Sequence, residues 1–203
     1  MVSGGFGLPG SGKSLWLARQ ATRALQGKPL KVGNYSLQSE YGQKYDKVYT
    51  NFEFKGAYQL DFDTLGKCYY ENCLFLCDEI MMYADSRDYK SFSKELKLFF
   101  SQHRKFHCDF IWTSQMYDDC DKKIRGITDK FFYIRHSFIP NFSEVLPIES
   151  FFDIKDGQIR SGQQFGRRIN RDLYYRPSLY KLINSYQVIG NNVPTKPAPA
   201  NPW

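Results

Sequence analysis

An eight-residue run near the amino terminus, Gly7-Leu8-Pro9-Gly10-Ser11-Gly12-Lys13-Ser14, has the spacing of a phosphate loop. Its glycines let successive backbone N–H groups close around phosphate oxygens, and Lys13 would reach the β- and γ-phosphates. The Ser14 hydroxyl would ligate Mg²⁺. Farther along, Cys73 to Cys77 is apolar throughout and runs into Asp78-Glu79. There Asp78 would hold the metal's water shell, while Glu79 is placed to polarise an attacking water. Gln115 follows the apolar run Phe110-Ile111-Trp112 through Thr113-Ser114. Its amide can bond a γ-phosphate or the lytic water, or it can simply end a strand in solvent. The chemistry implied is hydrolysis of a nucleoside triphosphate, ATP, with Mg²⁺.

Other reactive side chains fit packing better than catalysis. His103, His107 and Cys108 lie close in sequence but match neither common zinc spacing. Cys73 and Cys77 share a strand face and suit a core. Arg104 and Lys105 come at the end of a helical pattern, where cations complement the helix dipole. Five cysteines without framework spacing, and no signal peptide, favour a reducing cytoplasm.

These residues need elements to position them. Leu17, Ala21, Ala24 and Leu25 form one apolar helix face ending at Gly27, so a helix would begin at the phosphate loop. The strand before it, Val2 to Phe6, is short and rich in glycine for a buried position. Residues 28–46 show no clear period. Lys47 to Asn51 alternates as a strand, and Asn72 to Glu79 reads as a central parallel strand with its acids at the carboxyl end, where open α/β sheets bind ligands. Phe92, Leu96, Phe99, Phe100 and His103 mark a helix of roughly four turns. Asp129 to Arg135 makes a last core strand, and Asp156-Gly157 between Phe151–Lys155 and Gln158–Ser161 signals a hairpin. Strands alternating with helices predict an α/β P-loop NTPase fold with a mostly parallel sheet and flanking helices. The expected organisation is a core over 1–140, a small hairpin-and-helix appendage over 141–190, and a Pro-rich tail or linker over 191–203.

The chain of 203 residues has ordinary globular composition, 42% hydrophobic and 24% charged, which excludes general disorder. No apolar run is long enough to cross a bilayer. The net charge of +7 is uneven: residues 1–100 carry 13 Lys/Arg against 11 Asp/Glu, and residues 101–203 carry 15 against 10. Lys155 to Lys181 holds most of the excess, interleaved with Phe165, Tyr174, Tyr175 and Tyr180. Such a segment suits phosphates on a single strand or an anionic membrane, or forms an ordinary solvated face.

With these residues in view, the chain resembles the zonula occludens toxin (Zot) family, the cytoplasmic ATPase domains of filamentous-phage assembly and export proteins. The resemblance is carried by Gly7 to Ser14, Val48 to Asn51, Leu76 to Glu79, Asp85 to Arg87, Leu98 to Arg104, Ile111 to Gln115, Asp121 to Arg125 and Leu179 to Tyr186, in family order. It implies a P-loop fold with an extra strand between the phosphate-loop strand and the acidic strand. It also implies an ATP-driven motor that extrudes single-stranded phage DNA, acting as a homo-oligomeric ring with that DNA or its coat proteins as partners. A membrane helix is expected downstream of this sequence, which would put the domain on the cytoplasmic face of the inner membrane. Arg104, with Arg125 second, is expected to reach a neighbouring subunit's γ-phosphate. Two other functions compete: a small nucleotide kinase using Arg167, Arg168 and Arg171, and a non-enzymatic effector acting on epithelial junctions.

Overall fold

A computed structural model describes residues 1–84, 93–155, 158–165 and 170–183. The strands are β1 (Val2–Phe6), β2 (Lys31–Val32), β3 (Tyr35–Ser36), β4 (Lys47–Thr50), β5 (Tyr58–Gln59), β6 (Cys73–Cys77), β7 (Asp109–Ser114), β8 (Lys130–His136), β9 (Phe142–Lys155), β10 (Gln158–Phe165) and β11 (Asp172–Tyr175). The α-helices are α1 (Lys13–Leu25), α2 (Lys94–Gln102) and α3 (Lys122–Ile127).

β6, Cys-Leu-Phe-Leu-Cys, is buried along its whole length because apolar layers cover both of its faces. Cys73, Phe75 and Cys77 point into a layer with Tyr49, Phe99, Phe100, Phe110 and Trp112, beneath α2. Leu74 and Leu76 point the other way, to Trp16, Leu17 and Ala21 of α1 and to Ile111, Phe132 and Ile134. The period-two alternation of a strand thus builds two separate cores. Among the described residues, nine strands make one sheet in the order β10-β9-β8-β1-β7-β6-β4-β5, with β11 also on β9. Every pair from β8 across to β5 is parallel. β7 lies between β1 and β6, so a strand does separate the phosphate-loop strand from the acidic one. This is the α/β P-loop architecture expected from the sequence.

The glycine-rich β1 occupies the centre of that sheet, paired to β7 and β8. Its composition follows from its neighbours. A Cβ on Gly4 would lie 2.3 Å from the Trp112 ring, and one on Gly5 would lie 2.7 Å from the Trp16 ring. Both tryptophans are fully buried, on opposite faces. The strand is thin so that the rings can lie against it.

Three expectations need adjustment. The helix read from Phe92 to His103 is α from Lys94 to Gln102, capped by the Ser93 hydroxyl, which accepts from Leu96 N–H. It tightens into a 3₁₀ turn over His103–Phe106, and His107, at φ 52°, closes it. Phe92 itself lies outside the described residues. The stretch 28–46, read as irregular, contains the β2–β3 hairpin around Gly33-Asn34. The 141–190 segment begins within the main sheet: Ser143 to Ile148 of β9 pairs antiparallel with β8, then Ile148 to Lys155 continues as a ribbon with β10. The Asp156-Gly157 turn lies outside the described residues, and so do Asp85 to Arg87, Arg167, Arg168, Asn184 to Tyr186 and the tail over 191–203. A 3₁₀ turn at Arg176–Ser178 follows β11. Among the described residues, no helix is long and apolar enough to cross a membrane.

Gly4→Ala should lower unfolding stability by about 3 kcal/mol, the upper end for overpacking, because the Trp112 ring has nowhere to move. Gly126→Ala, in α3 with nothing within 4 Å of the new methyl, should instead add about 0.5–1 kcal/mol. Urea midpoints of the two variants check both; equal shifts would sink the packing argument.

Candidate active site

Because β1, β6, β7 and β4 are parallel, their carboxyl ends come together at one edge of the sheet. β1 runs directly into the loop Gly7–Gly12, and α1 starts at Lys13. Gly10 (φ 77°) and Gly12 (φ 105°) take the left-handed backbone that a tight anion-binding loop needs. Gly12 is also constrained by space, since a Cβ there would meet Tyr174 Oη at 2.7 Å and Ser143 Oγ at 2.8 Å. No acidic residue occupies the first turn of α1, so its positive end remains available to an anion.

The loop's outward carbonyls are held from the far end of the chain. Ser143 Oγ donates to Ser11 O at 2.7 Å, and Tyr174 Oη donates to Gly12 O at 2.7 Å. Inside the loop, Lys13 Nζ donates to Gly7 O at 3.0 Å and lies 3.6 Å from Glu79 Oε1. The ammonium is therefore buried over the loop and ready to exchange its carbonyl partner for phosphate.

Asp78 ties the strand ends together. Its Oδ2 accepts from Ser14 Oγ, and its Oδ1 accepts from Thr113 Oγ1 of β7. Asn51, just past β4, donates from Nδ2 to Asp78 O and accepts from Asp78 N–H, each at 2.7 Å. One carboxylate thus connects the helix after the loop, the acidic strand and the strand between them. Glu79 follows in the left-handed region, at φ 49°. Such strain in a non-glycine residue at a cleft costs roughly 1–3 kcal/mol and re-aims the side chain. Burial pushes the Glu79 carboxyl above its ordinary pKa; the Lys13 charge opposes that shift, Asp78 adds to it, and Gln115 pulls it down. Glu79 Oε2 is buried without a hydrogen-bond partner.

A cleft of about 680 Å³ opens above these groups, lined by Gly10, Lys13, Ser14, Glu79, Gln115 and Arg176, and also by Tyr180 and Ile183. That size suits a nucleotide. Ser14 and Asp78 supply adjacent hard oxygens next to the loop, and no group of three or more His, Cys, Asp or Glu among the described residues could hold an ion by itself. This donor set fits Mg²⁺, which keeps waters and takes substrate phosphates as its remaining ligands.

The structure brings Lys13, Ser14, Asp78, Glu79 and Gln115 together, but not Arg104. Arg104 pairs with Asp129, whose backbone N–H and carboxylate bond the two sides of Val2. It therefore sits at the amino end of β1, opposite the phosphate loop, because the loop before β8 offers a carboxylate there. Arg125 pairs with Asp118 and lies over the Tyr117 ring. Arg171, considered for a kinase, is bound to Glu144 at 3.2 Å. Tyr174, grouped above with rings able to face nucleic acid, is only 4% exposed and supports the loop instead. His103 is buried against Phe100 O, and His107 contacts Glu40.

Three site residues escaped the sequence reading. Asn51 and Thr113 stood within strand patterns and within the blocks that carry the family resemblance, but nothing marked them as partners of Asp78. Arg176 sat in a basic segment whose bulk drew attention to its charge rather than to any single side chain.

No protein-family model matches the chain, and no curated protein matches it. Among solved structures, it is similar to the N-terminal domain of zonular occludens toxin from Neisseria meningitidis, with a TM-score of 0.49 and 17% identity over 90% of this chain and 98% of that one. It is also similar to the genome packaging NTPase B204 from Sulfolobus turreted icosahedral virus 2. The complex of that protein with ATP-gammaS has a TM-score of 0.45 and 10% identity, covering 79% of this chain and 95% of that one. The complex with AMPPCP has a TM-score of 0.44 over the same shares.

Proposed function

We propose that this chain is a Mg²⁺-dependent ATPase, and that it serves as the motor domain of a filamentous-phage assembly protein, driving export of single-stranded DNA. The observation that carries the first half is the convergence of Lys13, Ser14, Asp78, Glu79 and Gln115 on one cleft. In it, the loop N–H groups and Lys13 bind the phosphates, while Ser14 and Asp78 hold the metal, which when bound neutralises charge on the phosphate oxygens. Glu79 takes the proton of the attacking water, and its Lys13 contact keeps it in reach of the ionised form. Gln115 lies beside Glu79 in the same cleft and orients that water. A carboxylate base in a half-buried site favours water as the acceptor over a second nucleotide.

The motor half rests on the ordered sequence blocks shared with the zonula occludens toxin family, above all Ser101-Gln102-His103-Arg104 and Trp112-Thr113-Ser114-Gln115. In this reading the domain works as a homo-oligomeric ring in the cytoplasm, at the inner face of the inner membrane.

Lys13→Ala should lose ATP affinity, whereas Glu79→Gln should bind ATP and turn over at least about 10²-fold more slowly, the usual contribution of a positioned base. Malachite-green assays with parallel binding titrations check this; unchanged turnover in Glu79→Gln would remove the assigned base. The raised Glu79 pKa also sets two pH signs. The acid limb of kcat/KM should lie above the ordinary glutamate range, since the base is lost as pH falls through that pKa. For folding the sign is opposite. A carboxyl raised in the native state favours that state at low pH, and the advantage disappears as pH rises through the raised value. Glu79→Gln should therefore raise the thermal midpoint at neutral pH and leave it unchanged in acid; a gain present equally in acid would refute the burial argument.

A further inference from the structure

Among the side chains lining the cleft, Arg176 has no role in the chemistry above. Its backbone is fixed from both sides: its N–H donates to Asn141 O at 2.9 Å, and its carbonyl accepts from Leu179 N–H at 2.9 Å. Arg176 lines the cleft with Gly10, Gly12, Lys13, Glu79 and Gln115. Nε is buried with no hydrogen-bond partner. Arg19, Arg104, Arg125, Arg135 and Arg171 each have a carboxylate. Among the described residues Arg176 has none. Lys13, the other cation of the cleft, already faces Glu79.

A buried donor left unpaired is costly, and its retention needs an acceptor. Facing a phosphate loop, a planar fork of N–H groups matches phosphate oxygens two at a time. We propose that Arg176 is a phosphate-contacting residue supplied by the same chain that carries Lys13, closing over the triphosphate from the β11 side. This inference rests on the phosphate-loop reading of the cleft. It places the ligand's charge, not its base, against Arg176. Because Arg176 directly follows β11, whose Tyr174 holds the loop at Gly12 O, the support of the loop and the proposed phosphate contact come from one short segment.

The test is binding of ATP, ADP and adenosine, by calorimetry, to the full chain and to Arg176→Ala, Arg176→Lys and Lys13→Ala. Arg176→Ala should weaken ATP roughly tenfold to a hundredfold, ADP less, and adenosine not at all. Arg176→Lys should recover part of the ATP affinity, since it restores charge without the fork. A merely structural role would weaken all three ligands alike, which would overturn the proposal. ATP binding unchanged in Arg176→Ala but lost in Lys13→Ala would also overturn it while leaving the phosphate-loop reading intact. ATP binding unchanged in Lys13→Ala would remove that reading itself, and this proposal with it. If Arg176→Ala does not fold, as judged by its thermal midpoint, Arg176→Gln carries the same comparison.

Discussion

Two indole rings press on the same strand from opposite faces, and the room they need is available only where β1 has no side chains. Gly4 yields space to Trp112, and Gly5 yields space to Trp16. The two cores meet across this thin strip of backbone, so the position of β1 is set by aromatic volume more than by its own hydrophobicity. That matters because β1 ends in the phosphate loop. The strand that delivers the loop is clamped between its neighbours and by both core layers, which fixes where α1 must begin.

From that anchored start, the rest of the site is assembled by one carboxylate. Asp78 bonds to Ser14 on α1 and to Thr113 on β7, while Asn51 secures its backbone from β4. The arrangement preorganises a pair of oxygens for a cation and leaves Glu79, next in sequence, turned into the cleft by its left-handed backbone. Backbone strain falls on the residue expected to handle the water. The two neighbouring acids are thereby differentiated by environment: one is fully bonded and the other has an unpartnered oxygen.

Much of this was legible in the amino-acid sequence, for definite reasons. The phosphate loop is a local backbone device, so its spacing is conspicuous; β6 is apolar on both faces, which gives it away as a central strand. The short β2–β3 hairpin was missed because two-residue strands carry no period, although Gly33-Asn34 is a recognised two-residue turn pair. The length of β9 was missed because Pro147, Ser143 and Glu144 disguise it: Pro147 falls between the stretch paired with β11 and the stretch paired with β10, and Ser143 and Glu144, though buried, have side-chain partners in Ser11 O and in Arg135 and Arg171. Arg104 and Arg176 show the limit most clearly. Both are arginines beside an aromatic-rich pattern, yet a single aspartate, Asp129, takes one away from the cleft, and a backbone bond to Asn141 O fixes the other beside it. Such choices depend on contacts between distant segments, which spacing does not encode.

The hydroxyl groups of Ser143 and Tyr174 reach Ser11 and Gly12 across sequence separations of 132 and 162 residues. During synthesis the loop leaves the ribosome long before either partner exists, so its outward carbonyls remain with water until nearly the whole described chain has emerged. Contacts of such high order close late and slowly. Domains otherwise tend to order from their amino terminus as they are made. Here an element translated long before its partners is among the last to take its working shape, and a nascent chain stalled before Tyr174 would present a phosphate loop without the hydroxyl that holds Gly12 O.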